Sequence, residues 1–173
     1  MVLTGDKVIL GALIQSDAQA LYAWMNDPAI ALSNGCWRPT DGMDFSNWFQ
    51  AIGKDANRVT FAIRKKGERA AVGYLSILSI HSVFRSAEMG VTIGPEALRN
   101  QGLGRDAMAL GLRYCWNHLN LERVTLRIYG DNPAAIRCYQ AVGFQVEGVL
   151  RRAVFLGGQR LDVTMMGALR DPV

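Results

Sequence analysis

The hydrophobic period of the chain changes along its length, and no other feature narrows the fold as much. In "RVTFAIR" (58–64), Val59, Phe61 and Ile63 alternate with Thr60, Ala62 and Arg64. A period of two marks a strand with one buried face. "KKGER" (65–69) supplies a hairpin turn, "AAVGYLSILSIHS" (70–82) a long strand, "VFRS" another turn and "AEMGVTIG" (87–94) a further strand. Residues 58–94 thus read as an antiparallel meander. From about Gly104 to His118 the period is helical, and "RVTLRIY" (123–129) returns to alternation. "NPAAIRCYQAVG" (132–143) has Asn132 as cap, Pro133 at the first helical position and Gly143 as its stop. "FQVEGVLRRAVFL" and "RLDVTMMGAL" are two more strands, joined at Gly157-Gly158. Strand, helix, strand, helix, strand from residue 87 onward requires a parallel crossover inside a mostly antiparallel sheet. The fold class is α+β, a three-layer arrangement with helices flanking the sheet.

The first third is simpler. "KVILGAL" (7–13) reads as a strand, and Ser16 or Asp17 caps a helix carrying Ala20, Leu21 and Trp24 on one stripe. Pro28 ends that helix. Residues 29–43 read as loop, with Asn34-Gly35 and Arg38-Pro39 as turn signals. Asp44 is the expected cap of a short helix with Trp48, Phe49 and Ile52 as its stripe.

The 173 residues suffice for one domain with a sizeable core, and no repeat or linker divides them, so residues 1–173 are expected to form a single domain. No apolar run reaches the ~18 residues of a membrane span, and the start shows no signal-peptide pattern. Cys36, Cys115 and Cys138 are an odd set without metal-ligand spacing, which points to reduced thiols in a cytoplasm and to no bound metal. The net charge of +4 is scattered, with no basic helix to grip nucleic acid. One anion-binding pocket explains it better.

That pocket is legible in "ALRNQGLGRDAMA" (97–109). A helix N-terminus exposes unpaired N–H groups and a partial positive charge. Glycines there let phosphate oxygens approach the backbone. Gly102 and Gly104 sit where the helix begins, Arg99 and Arg105 flank them, and Gln101 adds a donor. The letters 102–107 also match the dinucleotide fingerprint G-x-G-x-x-A. That motif needs a strand running directly into the glycines and an acidic residue ending the next strand. Here residues 95–101 intervene and the next strand carries Arg123 and Arg127. No Gly-Lys-Ser/Thr follows, so it is not a P-loop either.

A second constellation follows. Asn132, Ala135 and Tyr139 are spaced three and four apart, on one helix face. Together they make a narrow slot ending in a proton donor. Taken in order and at this spacing, Arg99-x-x-Gly102-x-Gly104 and Asn132-x-x-Ala135-x-x-x-Tyr139-x-x-x-Gly143-Phe144 resemble the GNAT superfamily of acetyl-CoA-dependent N-acetyltransferases. The likeness covers essentially the whole chain. "WMNDPAI", "RSAEMGVTIGPEALRNQGLG" and "VEGVLRRAVFLGGQRLDVTMMG" resemble its branch of ribosomal-protein N-terminal and polyamine acetyltransferases.

The resemblance implies acetyl-CoA as cosubstrate and an amine as acceptor. The strand before the glycine turn should splay from its parallel neighbour, with the pantetheine arm in the gap beside Val91, Thr92 and Ile93. The N–H of Met89 or Val91 would polarise the thioester carbonyl. Arg99, Gln101, Gly102, Leu103, Gly104 and Arg105 would hold the pyrophosphate, and Asn132, Ala135 and Tyr139 would line the arm. Glu88, on the face shared with Gly90 and Thr92, is the candidate base for the acceptor ammonium, against an ion pair with Arg85 or a distant arginine. Tyr139 would return a proton to the leaving thiolate, a transfer expected to be favourable. The superfamily relation also implies a possible homodimer through the C-terminal strands.

Other polar residues carry less. His81 is expected at the surface or in the core, and His118 to end its helix structurally. Cys138 points away from Tyr139 on the helix and is given no thiol chemistry. Trp37, in a loop, is a candidate wall of the acceptor pocket. Asp27, Asp41 and Asp44 are expected to be caps rather than attractors of a cation. A protein N-terminus, a polyamine, an aminoglycoside and an amino sugar all remain open as acceptors. A non-catalytic acyl-CoA sensor is the alternative, which could dispense with Tyr139.

Overall fold

A computed structural model describes residues 1–170. The strands are β1 (Leu3–Thr4), β2 (Val8–Gly11), β3 (Val59–Lys65), β4 (Ala71–His81), β5 (Ser86–Ile93), β6 (Arg123–Tyr129), β7 (Gln145–Leu156) and β8 (Gln159–Leu169). The helices are α1 (Ala18–Met25), α2 (Pro28–Ser33), α3 (Gly42–Ala51), α4 (Leu103–Asn117) and α5 (Pro133–Gln140). All eight strands form one sheet in the order β1-β2-β3-β4-β5-β6-β8-β7. Among the described residues only β5 and β6 pair in parallel, and every other pair is antiparallel. The mixed sheet flanked by helices matches the architecture expected from the period changes.

Register divides the sheet into two faces. Leu75 of β4 and Met89 of β5 point at α4, where Gly111 lets them come close: a Cβ there would lie 2.7 Å from Met89 Sδ and 2.9 Å from Leu75 Cδ1. Val8, Leu10, Ile63, Val124 and Leu126 extend this core, and Met108 and Cys115 of α4 close it. The opposite face carries Tyr74, Thr92 and Tyr129. The segment after α2 covers it, with Asn34 Nδ2 donating to Thr92 Oγ1 at 3.1 Å and Gly35 lying against the Tyr129 ring.

Three expectations need correction in the first third. Residues 29–43 are not all loop, because Pro28 both ends α1 and opens α2. Its missing N–H costs nothing at a first helical position, and Asp27 Oδ1 accepts from Ala29 N–H and Ile30 N–H at 2.9 and 3.1 Å. The next helix is capped by Asp41 rather than Asp44: Asp41 Oδ1 accepts from Met43 N–H and Asp44 N–H, both at 2.8 Å. Its buried residue is Phe45, and Ile52 has left the helix as its C-cap. Asp17 does stand at the N-cap of α1, yet its carboxylate makes no cap bond. It is buried against Arg64 of β3, 2.5 Å away, which ties the start of α1 to the sheet.

Among the described residues no helix is long and apolar enough to cross a membrane.

Candidate active site

The parallel ladder between β5 and β6 is short. Ser86, Ala87 and Glu88 pair with Arg123, Val124 and Thr125, and there the pairing stops although both strands run on. On its other edge β5 stays paired with β4 up to Ile93. The Gly94 N–H donates to Val72 C=O at 3.0 Å. By strict alternation, the even residues of β5 give their backbone groups to β4. Met89, Val91 and Ile93 therefore turn theirs into the gap beside β6. The Ile93 carbonyl, for instance, accepts from Arg99 Nε at 3.3 Å.

On the α4 side of the gap lies an open cavity of about 900 Å³. Its floor is the glycine turn. Gly102 is the N-cap of α4 at φ 80°, a left-handed conformation that glycine adopts without strain. The first intrahelical bond runs from Asp106 N–H to Gly102 C=O at 3.0 Å, so the N–H groups of Leu103, Gly104 and Arg105 have no helical partner. At Gly104 a Cβ would meet only Ile93 Cγ1, at 3.8 Å, so the protein itself has room for a side chain there.

The cavity is basic from several directions: Lys7, Lys65, Arg99, Arg105 and Arg137 line it. Lys7 Nζ donates to Gln101 C=O at 2.7 Å, while the Gln101 amide donates back to Ala97 C=O at 2.7 Å. Arg99 is fastened to the carbonyls of Ile93 and Gly94. From α5 and its C-cap come Ala134, Arg137, Cys138 and Ala141, the stripe at helical spacing that faces the cavity. Ala135, by contrast, packs against the core with Ile136 and Tyr139, and the Asn132 side chain caps α5 by accepting from Ala135 N–H at 3.0 Å.

On the opposite face a second cavity, of about 240 Å³, lies over β4, β5 and β6. Tyr74, Ser76, Glu88, Gly90, Thr92, Arg127 and Tyr129 form its floor, and Asn34 and Cys36 approach from above. Met89, Val91, Leu126 and Tyr139 also line it, although they belong to the α4 side. The cavity therefore penetrates the gap between the strands. Thr92 points onto this face, away from Val91 and Ile93, and its hydroxyl is held by Asn34. Glu88 pairs with Arg127 of β6 at 3.2 Å, the distant arginine of the alternative reading, whereas Arg85 is engaged by Asn120 and Glu122.

Burial, with a smaller contribution from Cys138, pushes the Tyr139 phenol up to about 12. This corrects the expected proton transfer to the thiolate. A phenol near ~10 is already a weaker acid than a thiol near ~8.5, and burial widens the difference, so complete transfer runs uphill. Such a phenol keeps its proton and can still offer a hydrogen bond to a sulfur on which negative charge develops.

The remaining candidates lie apart. Trp37 is 78% exposed beneath Arg38 and does not line the cavity, its neighbour Cys36 doing so instead. His81 stacks on Phe84 at the surface, and His118 is the C-cap of α4. Lys7, Lys65, Tyr74 and Asn34 escaped the sequence reading because strand pairing and loop docking bring them in from far along the chain. The α5 stripe of Ala134, Arg137, Cys138 and Ala141 was readable from helical spacing.

A family model described as acetyltransferase (GNAT) domain matches residues 7–145. A spermidine N(1)-acetyltransferase of Escherichia coli is 28% identical over 153 residues, covering 88% of this chain and 75% of that protein. An uncharacterised N-acetyltransferase of Bacillus subtilis is 24% identical over 98% of this chain and 97% of its own. Among solved structures, spermidine N-acetyltransferase from Vibrio cholerae in complex with CoA and spermine superposes with a TM-score of 0.86 at 25% identity, over 94% of this chain and 95% of that one.

Proposed function

The chain belongs to the GNAT acetyltransferase family, and from that premise we propose how its two cavities divide the work of moving an acetyl group from acetyl-CoA to a primary amine. The phosphates of acetyl-CoA lie at the N-terminus of α4, on the N–H groups of Leu103, Gly104 and Arg105, with Lys7, Arg99, Arg105 and Arg137 supplying charge. The pantetheine arm follows β5 past Ile93 and Val91, hydrogen bonding to the backbone groups that β6 leaves unpaired. The N–H of Val91 or Met89 polarises the thioester carbonyl. The observation that carries this reading is the smaller cavity, lined at the β5–β6 gap by residues of both sheet faces, because it gives an amine a separate polar face from which to approach a thioester held beside β5.

An alkylammonium, with a pKa near ~10.4, must lose a proton before it can attack. Glu88, directly or through water, accepts it. The C–N bond forms and the C–S bond breaks. Of the three ammonium protons, one stays on the amide, and the other two are matched by one proton delivered to sulfur and one released to solvent. Tyr139 donates a hydrogen bond to the sulfur and shares its proton as the bond breaks. In this reading the whole chain acts as a single domain in a reducing cytoplasm, consistent with its unpaired thiols. Exposed Val149, Leu150 and Phe155 of β7 support a homodimer through the C-terminal strands.

The test is free-thiol release from acetyl-CoA with a panel of primary amines, beside the Tyr139→Phe variant. Release cut about 100-fold or more by the substitution supports the reading. Tight acetyl-CoA binding without release on any amine would favour a sensor.

A further inference from the structure

The face on which the amine arrives has an unusual charge content. Of the residues lining it, only Glu88 and Arg127 are charged. They sit on adjacent strands at the point where the parallel ladder ends, and their carboxylate and guanidinium are 3.2 Å apart. Both remain partly open, with 32% of the Glu88 side chain and 49% of the Arg127 side chain exposed. The rest of the lining is neutral: Tyr74, Tyr129 and Tyr139, Ser33 and Ser76, Asn34, Thr92, Cys36 and a few apolar groups. A polycation would need several acids along its length, yet here one acid is already matched by one cation. The volume of about 240 Å³ falls below the ~300–1,000 Å³ of pockets for drug-sized ligands, and part of it must admit the acetyl group.

We propose that the acceptor is a small zwitterion, an α-amino acid or close analogue, whose ammonium binds Glu88 while its carboxylate binds Arg127. The acceptor then replaces one ion pair with two, and each side chain keeps an opposite charge throughout. Arg127 presents a planar fork that a carboxylate can engage through two hydrogen bonds. Glu88 receives the ammonium beside the thioester gap, where the proton has to leave. Gly90, two residues beyond Glu88 on β5, has nothing within 4 Å of where a Cβ would lie, which leaves the floor open beside the ion pair. This deepens the acetyl-transfer reading and rests on it.

The experiment measures kcat/KM for thiol release with free amino acids, the same amino acids as carboxamides, and spermidine, using the wild-type chain and its Arg127→Gln and Arg127→Lys variants. Thermal unfolding is followed in each to confirm folding. The wild type should prefer the amino acid to its amide and to spermidine by at least tenfold. Arg127→Gln should bring the acid-to-amide ratio close to one through KM, and Arg127→Lys should restore part of it. Preference for spermidine, or a ratio unmoved in a folded Arg127→Gln protein, overturns the proposal while leaving acetyl transfer intact. No thiol release with any amine overturns the acetyl-transfer reading and this inference with it.

Discussion

The Asp106 carboxylate, in the first turn of α4, accepts from the Val8 N–H at 2.9 Å and from the neighbouring Lys7 N–H at 2.8 Å. One side chain thereby fixes the turn before β2 against the helix whose N-terminus faces the basic cavity. Burial alone would raise its pKa, but the backbone hydrogen bonds outweigh it and the carboxyl is held below its usual value. A depressed carboxyl stabilises the fold above its unfolded value of ~3.9 and loses that contribution as pH falls through the folded value. Asp106→Ala should destabilise by about 2–3 kcal/mol, since hydrogen bonds to a charged acceptor contribute ~1.5–3 kcal/mol each and this site is partly exposed. Urea unfolding at pH 7 and pH 3 checks it: the gap between the two proteins should narrow at the lower pH.

Gly102 and Gly104 should respond differently to alanine. Gly102 needs its positive φ, and a Cβ would stand 3.3 Å from Lys7 Nζ. Gly102→Ala should cost about 1–2 kcal/mol of stability. Gly104 is inside the helix with space beside it, so Gly104→Ala should leave stability unchanged or raise it by about 0.5–1 kcal/mol. Its methyl group would instead stand where phosphate oxygens approach the backbone, and the Kd for acetyl-CoA should rise tenfold or more. Calorimetric titration beside thermal melts separates the two effects. Unchanged affinity in Gly104→Ala would remove the phosphates from this turn.

These glycines also show what a sequence can disclose about such a site. Their proposed role rests on local facts, a turn and a helix start, and local facts are written in consecutive letters. The same holds for β3 to β6, where alternation named each strand to within a residue or two, and for α5, whose cap, proline and stop all lie within twelve positions. Residues 29–43 were misread because Pro28 carries two opposite signals, a stop for the helix before it and a start for the one after. The acid pair Asp41 and Asp44 offered two caps, and only the placement of Phe45 in the core chose between them. Lys7, Arg127 and Asn34 were illegible for a different reason. Each reaches its cavity through strand register or docking against a distant segment, and nothing in their own neighbourhood points there.

Gly90 offers a cleaner test of the acceptor face. It lies mid-strand on β5 without a positive φ, and a Cβ would meet nothing within 4 Å. Gly90→Val should therefore preserve stability or improve it slightly, because a β-branched residue suits a strand. The isopropyl group would occupy the floor between Glu88 and Thr92. KM for the amine should rise at least tenfold, with acetyl-CoA affinity changed less than threefold. A larger effect on acetyl-CoA than on the amine would exchange the roles assigned to the two faces.

Two acids in or against the core contribute to the alkaline behaviour. Burial pushes the Tyr139 phenol and the Cys115 thiol up to about 12 each. A phenol that keeps its proton this well cannot produce a falling limb in the rate profile below pH ~10, its ordinary value. The kcat should thus hold or rise up to that pH, and Tyr139→Phe should lower it without changing the profile's shape in that range. Stability moves the other way. The unfolded chain releases the Cys115 proton above ~8.5 and the Tyr139 proton above ~10, while the folded chain keeps both to a higher pH. Between those limits the native state binds more protons than the unfolded state, so stability falls as pH rises, by about 1.4 kcal/mol per pH unit for each proton retained. Their contribution is fully present below the unfolded values and is lost toward the folded ones. Cys115→Ala should begin less stable at pH 7, from the small cavity it leaves in the core. Its stability should then decline less steeply than the wild type's between pH 9 and 11. Parallel slopes in urea unfolding across that range would mean that the thiol ionises in the folded protein as easily as in the unfolded one.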